Sequence, residues 1–134
     1  MFGILDTGAS GLEAQRIRLD TIAANIANMN TTHGPNGEKV PFRRRLVQFA
    51  EGQAGDTGKP GVHVSSVDED QSPFIQKYEP GNKDADANGY VAYPNIDLAI
   101  ETINSLEASR AYEANVTMME TAKSMLSSSL RLLA

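Results

Sequence analysis

The sequence predicts a mainly α chain: long N- and C-terminal helices packing as a coiled-coil-like core, with a small β-hairpin or irregular insert between them. Three observations predict it. All six prolines (35, 41, 60, 73, 80 and 94) and eight of the eleven glycines fall between residues 31 and 94. Both flanks carry apolar residues at helical spacing, and the middle alternates strand formers with turn formers. Breakers in the centre and helix formers at the ends divide the 134 residues into an N-terminal core helix (1–30), a Gly/Pro-rich insert (31–94) and a C-terminal core helix (95–134).

In the first flank Leu5, Leu12, Leu19 and Ile26 recur every seven residues, and Gly8, Gln15, Ile22 and Met29 occupy the second seam position. Leucine and isoleucine at these places mark a coiled-coil stripe, which Gly8 and Gln15 weaken. Residues 4–29 would span ~39 Å as a helix. That helix closes in "ANIANMNT", with Asn25, Asn28 and Asn30 close together. Asparagine is a poor helix former because its amide competes for backbone hydrogen bonds. Asn30 can end the helix, since asparagine tolerates the left-handed conformation. Asn25 and Asn28 lie off the leucine stripe and are expected to fix register between helices, with exposure at a helix end as the plainer reading.

The last flank has no glycine or proline from Asp97 to Leu133, so one helix of ~55 Å fits. Asp97 is its expected N-cap. On a helical wheel Ile96, Ile100, Ile103, Ala111, Ala114, Met118, Met125 and Leu132 form one stripe. Tyr112, Val116, Met119, Leu126, Leu130 and Leu133 form a second, while Arg110, Glu113, Glu120 and Arg131 share the remaining face. The apolar-or-small arc covers roughly 220°, far wider than the ~100° stripe of an ordinary surface helix. The first helix can cover one stripe. The other needs a further partner: other subunits, or an insert folded back as a lid.

The insert reads as short strands and loops. "VPFRRRLVQF", "VHVSSV", "FIQKY" and "NGYVAY" are strand-like, and Asn88-Gly89 is a two-residue turn signal. A small hairpin or a three-stranded patch is expected. "GQAGDTGKPG" reads as a mobile loop tip. Arginines 43–45 would alternate sides on a strand, so they read as solvated or acid-pairing, with residues 68–70 (Asp-Glu-Asp) as possible partners.

Composition excludes several chemistries. No cysteine is present, so disulfides, thiol catalysis and zinc–thiolate sites are absent. His33 and His63 lack ligand spacing to a carboxylate pair. "TGKPG" fails the phosphate-loop pattern at both ends. The net charge of −5 is spread along the chain, which argues against nucleic acid as a partner. No run reaches the ~20 apolar residues that cross a bilayer, and the N-terminus does not resemble a cleaved secretory signal. The residues suggest neither an enzyme nor a cofactor. An assembly component fits better, with a client-holding helical chaperone as the alternative that uses the same stripes.

"ANIANMNT", "YEPGNKDADANGYVAYPNID" and "ASRAYEANVTMMETAKSML" together resemble the FlgC family of proximal rod proteins of the bacterial flagellar basal body. The resemblance spans nearly the whole chain, although Lys83 stands where the family often carries proline. It implies a structural subunit of the rod, the drive shaft for motility. Implied partners are further copies of itself, other flagellar rod and basal-body proteins, and the flagellar type III export apparatus. The implied location is the periplasm-spanning rod, reached without a cleaved signal peptide. Pattern and resemblance together place the assembly interface at Leu5, Leu12, Leu19, Ile22, Asn25, Ile26, Asn28, Ile100, Ile103, Arg110, Tyr112, Asn115, Val116, Met118, Met119, Met125, Leu126, Leu130 and Leu133.

Overall fold

A computed structural model describes residues 2–134. Helix α1 runs Phe2–Ala27, and α2 runs Leu98–Leu133. Between them lie strands β1 (Arg45–Glu51), β2 (Val62–Glu69), β3 (Ile75–Tyr78) and β4 (Tyr90–Tyr93). "Mainly α" is therefore only partly right, since helix accounts for 46% of the chain and strand for 19%. The single hairpin or three-stranded patch expected from sequence is also corrected. The strands form two separate antiparallel two-stranded sheets, β1–β2 and β3–β4.

The helix ends follow local chemistry. Asp97 is the N-cap of α2, its carboxylate accepting from the Ala99 and Ile100 backbone N–H groups. α1 stops at Ala27, and Asn28 to Thr31 continue as a tight turn. The Asn88-Gly89 signal does mark a turn, but only Gly89 takes a positive φ, of +84°. A type I′ turn needs positive φ at both central residues, so this is a different turn. Asp86 builds it by accepting from the backbone N–H of Asn88 and Tyr90.

The helices pack antiparallel. Gly8 lies against Met118 and Met119, Gly11 against Asn115, and Arg18 pairs with Glu107 at 3.6 Å. A Cβ on Gly8 would come within 2.5 Å of Met119 Cγ, so the missing side chain is what lets the helices approach. Gly8, read from sequence as a weak point of the seam, is its tightest contact. Buried Ala14 and Ala108, with Ile22, continue this small-residue packing. Carried along this register, α1 begins near Met125, and the last turns of α2 run past it.

Hairpin β1–β2 lies along α1. Its tip is tied down where Ser10 Oγ accepts from Val62 N at 3.2 Å and Thr7 Oγ1 donates to the Pro60 carbonyl. The loop read as a mobile tip is thus a built turn. Gly52 N–H donates to Gly61 O, and Gly52, at φ +90°, has Thr57 backbone within 2.6 Å of where a Cβ would stand. Among the described residues, no strand runs against α2. The insert does fold back, but onto α1 rather than over the open arc of α2.

Candidate assembly interface

Side-chain exposure divides the two stripes of α2. On the second stripe Tyr112, Val116, Met119 and Leu126 are half-buried, on the side that α1 covers. Leu5, Leu12, Val116 and Met119 line a shallow apolar groove of ≈340 Å³ rimmed by Glu120 and Lys123. Most of the first stripe stays open, although Ile96 is buried and Ala111 and Met118 are half-buried. Ile100 is 52% exposed, Ile103 63% and Met125 66%. In the overhanging last turns Leu130, Leu132 and Leu133 stand in solvent. Met118 and Asn115 are half-buried and Arg110 is exposed. On α1 Ile22 is buried, while Leu5, Leu12, Leu19 and Ile26 are half-buried.

The asparagines do different work. Asn25 is 1% exposed, and its amide is consumed by the backbone of one residue. Its Nδ2 donates to Arg45 O and its Oδ1 accepts from Arg45 N, each at 2.9 Å. The buried amide does set a register, but with the start of β1 instead of a second helix. Asn28 Nδ2 donates to Ala24 O in its own helix, and Asn28 Oδ1 accepts from Thr31 Oγ1. Within the chain Asn28 follows the plainer helix-end reading.

Arg44 is acid-pairing, as one sequence reading held for the run, while Arg45 lies over the Phe42 ring. Arg43 Nη1 donates to Asp70 O at 3.1 Å, and its guanidinium covers the Phe74 ring. Arg44 pairs with Glu101 through Nε and lies 3.8 Å from Asp70. Hydrogen bonds from Ser72, with help from Arg44 and Arg43, hold the Asp70 carboxyl below the usual carboxylate range. Glu101, in the first turn of α2, is fully buried, and its Oε2 has no protein partner. Sequence reasoning missed Glu101, Arg44 and the glycine contacts. In the sequence Glu101 reads like any helix-surface glutamate, and only the fold brings an arginine to it. The glycine signal was available, since Gly8 holds a seam position.

In the second hairpin Tyr93 donates its phenol O–H to Glu79 at 3.0 Å. That bond to a carboxylate raises the phenol's pKa above its ordinary value. An open groove of ≈570 Å³ is lined by His33, Glu38, Val40 and Phe42, and His33 Nε2 lies 3.2 Å from Asp84 Oδ1. Among the described residues no group of three His, Asp or Glu could hold a metal ion, and no helix is long and apolar enough to cross a membrane.

Two family models match this chain. "Flagella basal body rod protein" covers residues 5–35, and "Flagellar basal body rod FlgEFG protein C-terminal" covers residues 87–132. Those segments hold most of α1 and α2. The chain is 43% identical to the flagellar basal-body rod protein FlgC of Salmonella typhimurium, over 98% of this chain and 97% of that one. It is 40% identical to the FlgC of Bacillus subtilis and 37% to that of Borreliella burgdorferi, with coverage of 97% or more on each side. None of these relatives supports the chaperone alternative. With two antiparallel helices, an open apolar stripe and such similarity from end to end, the chain belongs to the FlgC family of flagellar basal-body rod proteins.

Proposed function

We propose that this chain is a structural subunit of the flagellar rod that assembles through its terminal helices, and that it is not an enzyme. One observation carries the assembly reading. The chain exposes 8888 Å². A compact monomer of its 14.4 kDa exposes about 6,800 Å². The excess of roughly 2,000 Å² on one chain is more than twice the ~800 Å² that each partner contributes to a standard interface, enough for more than one neighbour. Much of it is apolar and lies on α2: Ile100, Ile103, Met125, Leu130 and Leu133.

In this reading the open stripe of α2, the overhang and the Leu5–Leu12 groove meet neighbouring subunits, so a coiled-coil-like core forms across chains. Arg110 is exposed, while Asn115 and Met118 face α1 at Gly11 and Gly8. Segments 1–30 and 95–134 supply the core, and 31–94 lies outside it. Neighbours are further copies and other rod proteins. The chain reaches the periplasm-spanning rod through the flagellar type III export apparatus without a cleaved signal.

Ile103→Asp tests it. At 63% exposure the change costs a lone chain little, but an unpaired carboxylate buried between subunits costs several kcal/mol. The variant should be exported at normal levels while rods and swimming are lost. Normal swimming would remove Ile103 from the interface.

A further inference from the structure

We propose that Arg44, anchored on Glu101, is the positioning residue that sets the angle of hairpin β1–β2 against α2. Three facts lead there. First, among the described residues no strand runs against α2, and Arg44 is the insert side chain that hydrogen-bonds to it. Second, the anchor is built for one partner: Glu101 is 0% exposed, and a carboxylate so deep in the fold needs a cation. Third, Arg44 also faces Asp70 at the end of β2, while the neighbouring Arg45 backbone is fixed to Asn25. The guanidinium therefore joins α2 and β2, and the Asn25 amide ties the same stretch of chain to α1. Beside the brace is a cavity of ≈160 Å³ lined by Val47 of the hairpin and Asn104 of α2. Without Arg44 that gap is free to widen. A hairpin set at one angle gives a subunit one outer shape, which a rod that turns under load requires.

The inference rests on the rod reading only in where it is tested. The chain has no cysteine, so introduced pairs report geometry cleanly. One reporter pair is Val47→Cys with Asn104→Cys, across the cavity. The other is Arg18→Cys with Glu107→Cys, across the helix pair. Each is treated with a short bismaleimide in isolated basal bodies. Cross-linking follows the effective concentration of the two thiols, so Arg44→Ala should cut the 47–104 product at least about tenfold and leave the 18–107 product within about twofold. Glu101→Gln keeps an oxygen for Arg44 Nε and should lose less than about threefold. An unchanged 47–104 product overturns the brace. So does an equal fall of both products, which would make Arg44 a general packing residue. If Arg44→Ala chains do not enter rods, Arg44→Lys, which keeps the charge without the fork, must show the same selective loss. Absence of the unmutated reporter chains from basal bodies would count against the rod reading alone, and the two products in purified chain then decide the brace.

Discussion

Asn25 and Asn28 lie three residues apart on one helix, yet their surroundings separate them. Asn25 satisfies both backbone polar groups of Arg45, and its loss leaves a donor and an acceptor without partners. Asn25→Ala should cost roughly 1–3 kcal/mol. Asn28→Ala removes a bond to its own helix and gains a few tenths of a kcal/mol in propensity. The yield of rod-bearing basal bodies should fall for Asn25→Ala and stay near wild type for Asn28→Ala. Equal yields would contradict the assignment of both amides. Tyr93 supplies a pH dependence. Its folded pKa is raised, so its stabilisation is fully present below the ordinary 10.0 and is lost as pH rises through the folded value. With no tryptophan in the chain, near-ultraviolet absorbance should show a phenol ionising above the ordinary value. Tyr93→Phe should remove that late step.

At the scale of elements, the helix pair depends on absent side chains. Gly8 and Gly11 let α2 approach because a Cβ at either position would meet a side chain at 2.5 and 2.8 Å. Gly8→Leu should push the helices apart by overpacking, at a cost of about 1–3 kcal/mol, and reduce the 18–107 cross-link. Gly3, where nothing lies within 4 Å, is the matched control and should accept Leu freely. Comparable loss at both positions would mean that the close approach is unimportant. The first hairpin depends on α1 in turn, through Ser10 and Asn25. Its bulge between Gln48 and Phe49 shifts register by one residue, so Val67 pairs with Val47 while Val64 pairs with Phe49.

As a whole molecule the chain is under-buried. Its fully buried apolar residues are Ala14, Ile22, Val91, Ile96 and Ala108, a small core for its length. Isolated helices are marginal in water, and this pair buries mainly small side chains. Limited proteolysis of the free chain should therefore cut the overhang beyond Met125 first and then trim both helices. The same sites should be protected in isolated basal bodies. Resistance of both full helices in a verified monomer would show that folding does not wait for assembly.

Both helices, the α2 cap at Asp97 and the positions of the strands were legible in the sequence, because each rests on local rules: periodicity, capping, and breakers with turn formers. The excess apolar arc of α2 was legible too, since an arc that wide cannot be covered by one short helix. The pairing of strands into two hairpins was not, because β-propensity marks a strand without naming its neighbour. The partners of Asn25, Arg44 and Glu101 were not legible either. These contacts join residues 20 and 57 positions apart, and a buried amide or carboxylate carries no local signal of what will meet it. Gly8 shows the same division. Sequence placed it on the seam, but only tertiary structure decided that the missing side chain draws the helices together, because that depends on the methionines of the other end of the chain.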